Sequence, residues 1–224
     1  MKIDGHKRSG KENRKLKKSI SNDEIDTLPR ASFQGSIHMV ESDEDVNYAV
    51  NYLKQQSLLG FDTETRPSFA KGKNNPVSLL QLATSDKAFL FRLNLTGLPS
   101  GLINILSSPD ILKIGVAIRD DIRILQLIKP FKPTGFIELQ DMVGDFGIEN
   151  FSLKKLSAIV LGIRISKSQR LSNWDAPTLS DPQRIYAATD AWVCLEIYSR
   201  LKEISTASVS SECKEDETAG YGDH

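Results

Sequence analysis

Three short apolar stretches follow one another in the first half of the chain: Leu58 to Thr65, Val77 to Ala83 and Ala88 to Leu93. A loop through Gly72 to Pro76 separates the first two, and a turn at Ser85 to Lys87 separates the others. Apolar runs of this length bounded by turn residues read as strands, so an antiparallel meander is expected. Ile111 to Ile118 reads as a fourth strand, Asp120 to Ile128 as a helix stopped by Pro130, and Phe136 to Leu139 as a short fifth strand. Before the meander, Asp43 to Gln56 carries Val46, Ala49, Val50 and Leu53 at helical spacing behind Ser42, a candidate N-cap. After the strands, Ser152 is expected to cap a helix ending at Gly162, and Ser180 with Gln183 forms a capping box for a last helix reaching Leu201. Strands first and helices later predict an α/β sandwich, a mixed central sheet flanked by helices.

Composition narrows the class. With 224 residues and 39% apolar positions, one sizeable domain plus tails is expected. The longest apolar run, around Ala158 to Ile163, is far short of the roughly 20 residues that a membrane-spanning helix requires, so no membrane is expected as partner. Met1 to Ser21 is charged and has no secretory apolar region. Cys194 and Cys213 are the only cysteines, too few for a disulfide framework. An intracellular home follows, the cytoplasm or, in a eukaryote, the nucleus. The three histidines, His6, His38 and His224, leave no histidine-rich zinc centre and no Ser-His-Asp triad, and the chain has neither a P-loop nor GxGxxG.

The net charge of zero conceals an uneven distribution. Eight lysines and arginines fall between Lys2 and Lys18 against Asp4 and Glu12, whereas Ala31 to Ile204 balances at 19 basic and 19 acidic residues. Residues 1–30 therefore read as a basic, disordered arm, 31–204 as the folded domain, and 205–224 as an acidic disordered tail without helical or strand periodicity. The arm is either a solvated extension or a sequence-independent contact to phosphates.

The acids at the ends of apolar elements carry the chemical signal. Asp62 and Glu64 are two residues apart, so on an extended strand both carboxylates project from one face. Two such anions repel, and a divalent cation is the simplest thing that makes the pairing favourable; a solvated strand end is the ordinary alternative. Asp120 and Asp121 follow an apolar strand and open a helix, where capping alone would explain them, and adjacent aspartates cannot both face one centre. Tyr186 and Asp190 stand one turn apart on the last helix, a spacing that an interhelical tyrosine and an exposed aspartate would also produce.

Taken in order, Asp-x-Glu on the first strand, an Asp after a strand some fifty residues on, and Tyr-x-x-x-Asp on the last helix resemble the DEDDy class of 3′-5′ exonucleases, which have an RNase H-like (DnaQ-like) fold. Gly60 to Thr65, Ser78 to Leu82, Lys167 to Arg170, Ser172-Asn173-Trp174 and Tyr186 to Ala191 are similar to the RNase D and Werner-syndrome exonuclease branch. The resemblance covers about Ser57 to Leu201. It puts the third acid on Asp121, one residue after Asp120.

The resemblance implies a metal-dependent 3′-5′ exonuclease that cuts phosphodiesters at nucleic-acid 3′ ends and releases nucleoside 5′-monophosphates. Two divalent ions about 3.5 to 4 Å apart stabilise both the attacking and the leaving oxygen in such a displacement. Asp62 would bridge them, Glu64 and Asp190 would complete the site of the attacking water, and Asp121 would serve the leaving-group side through metal-bound water. Hard oxygen ligands point to Mg²⁺ or Mn²⁺. Tyr186 would orient the water, because a phenol with a pKa near 10 is a poor base at neutral pH. Thr63, Lys167 and Arg170 are expected to contact nucleic acid. The polar stretch Arg66 to Asn75 can border the groove. Trp174 reads as core in preference to a base-stacking platform, and Trp192 as core by the same reasoning. No accessory nucleic-acid-binding domain is expected after Leu201, so nothing chooses firmly between DNA, slightly favoured, and RNA trimming in the manner of RNase D. A non-catalytic adaptor of the same fold is the alternative of a different class.

Overall fold

The computed structural model describes residues 16–68 and 75–218, with side chains as far as 207. The chain begins with α1 (Asn22–Thr27), β1 (Ser36–Val40) and α2 (Asp43–Leu53), followed by the meander β2 (Leu58–Thr65), β3 (Val77–Ala83) and β4 (Lys87–Arg92). Next come α3 (Leu93–Thr96), α4 (Ser100–Ser107), β5 (Leu112–Gly115), α5 (Ile118–Ile128), β6 (Phe136–Glu138) and α6 (Leu139–Val143). Then α7 (Leu153–Leu156) runs into a π turn, Ser157–Leu161, and α8 (Asp181–Thr218) closes the fold. The six strands form one sheet in the order β1-β4-β3-β2-β5-β6. β2, β3 and β4 are antiparallel, whereas β1 joins β4 in parallel, β5 joins β2 in parallel, and β6 joins β5 in the same sense. The expected mixed sheet flanked by helices is the observed one.

Alternation along the strands gives the sheet two apolar faces. Leu59 and Phe61 of β2, Leu80 and Leu82 of β3, and Phe89 and Phe91 of β4 pack with Val46, Ala49 and Leu53 of α2, Leu102 and Ile105 of α4, and Leu125 of α5. The opposite face is covered by α8. A Cβ on Gly60 would lie 1.9 Å from the Ala191 carbonyl oxygen, so only glycine on β2 lets α8 sit this close. That close approach is what brings the acid of α8 to the acids of β2.

Several expectations need correction. The packed region begins before Ala31: α1 has a reciprocal Ser21–Glu24 capping box, and Ile20 and Ile25 are buried against α8 and α7. Two apolar residues in a polar segment, Ile20 and Ile25, are enough to dock it once the core offers a groove. The basic residues Lys2 to Lys15 lie outside the described residues. After Ser205 the backbone remains helical to Thr218, since adding residues to a helix already nucleated and docked upstream costs little. Ser152 occupies an N-cap position but makes no side-chain cap bond. The fourth strand is shorter than expected, and its helix starts at Ile118, before Asp120. β1, which no local pattern predicts, gains its strand character from pairing with β4 at the sheet edge. No described helix is long and apolar enough to cross a membrane.

Candidate active site

Asp62 and Glu64 project from β2 on the face covered by α8, and Asp190 meets them from that helix. One carboxylate oxygen from each of the three lies within 4.8 Å of the others. The register of α8 is held from both sides. Thr189, next to Asp190, donates to the Ile185 carbonyl and accepts from the Phe33 N–H at 3.0 Å. Upstream, Gln183 accepts from the Ser180 N–H at 3.0 Å and donates to the Asn173 carbonyl at 3.3 Å. Tyr186 rests on Trp174, ring centroids 6.1 Å apart, and Trp174 is fully buried. The loop carrying Trp174 is pinned by Arg92, which donates to the Ala176 carbonyl at 2.6 Å and pairs with Glu41 at 3.3 Å. Trp174 is therefore core, as expected, while Trp192 is half-buried against Phe33.

The fourth acid comes from α5. Asp121 Oδ1 accepts the Thr63 hydroxyl at 2.5 Å, and its charge is felt at both Asp62 and Glu64. Asp120 turns away: it is 83% exposed and pairs with Arg123 at 3.1 Å. Successive residues of a helix are rotated by about 100°, so only one of the two can face the sheet. The α5 start that makes this choice is unusual. Its N-cap, Ala117, holds a left-handed φ of 60°, and no side chain of its own caps the helix. Instead the Glu138 carboxylate from the end of β6 accepts the N–H groups of Ala117 at 2.9 Å and Ile118 at 2.8 Å. A carboxylate at a helix N-terminus is favoured by the dipole, and here it helps hold a backbone conformation that costs an L-residue about 1–2 kcal/mol.

Burial is the first cause of a raised pKa at each of the four acids. Burial first, then Asp190, Glu64 and Asp121, pushes the Asp62 carboxyl well above the usual range. Burial and the charges of Asp190 and Asp121 push Glu64 up to about 9. Asp121 is raised by burial, and the Thr63 hydrogen bond opposes that rise. Asp190 is raised to about 7 by burial, with Tyr186 and Lys167 pulling it down. Burial and the same carboxylates push the Tyr186 phenol well above its ordinary value, so it stays protonated. Asp190 Oδ1 is buried without a hydrogen-bond partner. An oxygen-only cluster with an orphaned lone pair fits a hard divalent cation, which would lower all these values at once.

Of the expected nucleic-acid contacts, Lys167 lies close enough to Asp190 to act on its carboxyl, and Arg170 is exposed on the same loop. Thr63 is placed otherwise. It is 9% exposed and its hydroxyl goes to Asp121, because alternation turns it away from the face of Asp62 and Glu64. Of the polar stretch Arg66 to Asn75, residues 69–74 lie outside the described residues.

Three participants escaped the sequence reading. One is Thr63 in its role as partner of Asp121, and another is Glu138, whose strand pairs with β5. The third is Gln81, directly opposite Asp62 in the β2–β3 register, fully buried with both amide atoms unpartnered. Its signal was present: it is the lone carboxamide in the apolar run Val77 to Ala83. For the other two no local signal exists, since both act through contacts distant in sequence.

The family model for 3′-5′ exonucleases matches residues 37–205, the span that holds all six strands except the first residue of β1. The mouse bifunctional 3′-5′ exonuclease/ATP-dependent helicase WRN is 34% identical over 205 residues, covering 86% of this chain and 14% of its own. Human exonuclease 3′-5′ domain-containing protein 2 is 35% identical over 161 residues, covering 66% of this chain and 26% of its own. The chain thus spans less than half the length of either relative. Among solved structures, the EXO domain of Aedes aegypti Nibbler superposes with a TM-score of 0.71 at 28% identity, covering 79% of this chain and 93% of that one. Acids on β2, α5 and α8, with a tyrosine one turn before the last, stand within the matched span, and the chain is a member of the 3′-5′ exonuclease family.

Proposed function

We propose that the chain is a 3′-5′ exonuclease that uses two divalent ions, Mg²⁺ or Mn²⁺, to hydrolyse the terminal phosphodiester of nucleic acids and release nucleoside 5′-monophosphates. The observation that carries this reading is the convergence of Asp62, Glu64 and Asp190, with the charge of Asp121 acting on the first two. When bound, the ions lower the pKa of water and offset the charge that builds on the attacking and leaving oxygens. Asp62, central among the acids, would be shared between the two. Glu64 and Asp190 would hold the one on the nucleophile's side, and Asp121, fixed by Thr63, the one on the leaving group's side. Tyr186 keeps its proton and so donates a hydrogen bond that orients the attacking water; it does not remove a proton from it. Lys167 supplies positive charge beside Asp190, where a phosphate would enter.

DNA is taken as the first reading. RNA trimming is the second reading, supported by a likeness that extends to ribonuclease D of Gluconacetobacter diazotrophicus, 28% identical over 172 residues. A non-catalytic adaptor is disfavoured by the presence of all four acids and the tyrosine. The deciding experiment digests end-labelled single- and double-stranded DNA and RNA in parallel with Mg²⁺ or Mn²⁺. Stepwise shortening from the 3′ end is expected; no metal-dependent shortening of any substrate would sink the proposal.

A further inference from the structure

A concave feature lies on the loop that carries Lys167. A cavity of about 290 Å³ opens between α1, the start of α7 and the loop 164–168, with Arg30, Lys154, Arg164 and Lys167 on its walls. Among the described residues, Asp26 is the only carboxylate lining it. Asp26 is 3.9 Å from Arg164, a distance that gives a weak pair, so the cations outnumber the carboxylate four to one around the cavity. Ser166 and Ser168, whose hydroxyls lie 3.0 Å apart, add donors on the same wall.

The gathering of these cations is built into the backbone. Arg30 and Arg164 are paired residues of a parallel bridge, fixed by Ala31 N–H to the Arg164 carbonyl and Arg164 N–H to the Pro29 carbonyl, both at 3.0 Å. The bridge therefore sets two cations on neighbouring backbone positions. The Arg164 Nε is buried without a hydrogen-bond partner, as are those of Arg92 and Arg184, and of the three only Arg164 lines this cavity. Multiple guanidinium and ammonium donors around a pocket of this size match a phosphate in charge and geometry. Lys167 lines this wall and its charge also acts on Asp190, so one side chain links the cavity to the acid cluster.

We propose that this cavity is a phosphate subsite for the substrate strand, in which Arg30, Lys154 and Arg164 hold a backbone phosphodiester upstream of the bond cleaved at the acids. The assignment rests on the exonuclease reading and extends it: the strand would leave the acids past Lys167 and run toward α1. Affinity would then depend on strand length, because only a substrate long enough to reach the cavity is held there.

The test is equilibrium binding of the full chain to labelled oligothymidylates, from a dinucleotide to about 12 nucleotides, in EDTA so that nothing is cut. Lys154→Gln and the double variant Arg30→Gln/Arg164→Gln should weaken the longer strands by about fivefold for each cation removed at about 0.1 M salt, and lower the salt slope by about 0.7 for each. The dinucleotide should be unaffected. Asp26→Asn removes the opposing carboxylate and should tighten the longer strands, and it stays informative should the double arginine variant fail to fold. Unchanged affinity and slope, or equal losses for the dinucleotide and the longest strand, would overturn the subsite. Loss of inorganic phosphate binding without loss of strand binding would mark a free-anion site and overturn it equally. Because no hydrolysis enters the measurement, a chain without nuclease activity would be recognised separately, by digestion of the same oligonucleotides in Mg²⁺.

Discussion

The hydroxyl of Thr63, the residue between the two acids of β2, donates to Asp121 on α5 at 2.5 Å. One strand therefore presents two acids on one face and fixes Asp121 from the other. Thr63→Val keeps shape but removes the donor, so it should cut turnover about 10- to 100-fold, the usual cost of losing a ligand's supporting hydrogen bond. Since the Thr63 bond holds the Asp121 carboxyl down, its loss should also shift the acid limb of the pH–rate profile upward. Thr63→Ser should restore both. A Val variant with reduced turnover but an unmoved pH profile would leave Thr63 as packing only.

The two adjacent aspartates separate cleanly. Asp121→Asn should abolish metal-dependent hydrolysis, whereas Asp120→Asn, which loses only an exposed pair with Arg123, should stay within about twofold of the parent and change stability by less than about 1 kcal/mol. Steady-state digestion rates of the two purified variants decide it, and the reverse outcome would contradict the orientation of α5.

Without metal, stability should fall as pH rises. Glu64 titrates at about 9 in the folded chain against 4.5 ordinarily, and Asp190 at about 7 against 3.8. Across those intervals the folded state holds protons that the unfolded state has released, so its advantage is full below the ordinary carboxylate values and is lost as pH climbs through the folded ones. The Tm in EDTA should decline from about pH 5 to about pH 9, and Mg²⁺ should reverse most of the decline because binding requires the deprotonated acids. Asp62→Asn should raise the Tm in EDTA at high pH while abolishing hydrolysis. A flat Tm in EDTA would show that the folded chain does not hold these carboxyls protonated.

Tyr186→Phe should leave metal binding and stability nearly intact, since the ring keeps its packing on Trp174, but lower kcat about 10- to 100-fold with KM held, the pattern of an interaction made only in the transition state. The pH profile should keep its shape, because a phenol held above its ordinary value never ionises in the working range. Disappearance of an alkaline dependence in the variant would make Tyr186 a base and refute the orienting role.

The backbone strain at Ala117 offers a stability readout. Ala117→Gly relieves a left-handed residue and should stabilise the chain by up to about 1 kcal/mol, the relief being partly offset by the greater freedom of glycine in the unfolded state. Glu138→Gln should destabilise α5 and lower turnover together, as seen by thermal melts and digestion rates; a melt unchanged by Glu138→Gln would mean that the cap does not hold α5.

Local pattern was enough for β2 to β4 and for α2, because alternation and helical spacing are properties of neighbouring residues, whereas Asp62, Glu64 and Asp190 stood out only through their order along the chain. The order of acids along the chain extended this to a family. Other features were invisible locally. β1 is a strand because β4 offers it an edge, α1 is packed because Ile20 and Ile25 find a groove against α7 and α8, and Thr63 turns toward Asp121 because α5 begins at Ile118. The same holds for the orphaned Gln81 opposite Asp62 and for the cations around Arg164, brought together from segments more than a hundred residues apart. A sequence determines which groups a residue carries and which face of its own element it occupies. Which distant groups share that face, and with what charge, is decided only when the sheet and α8 close on one another.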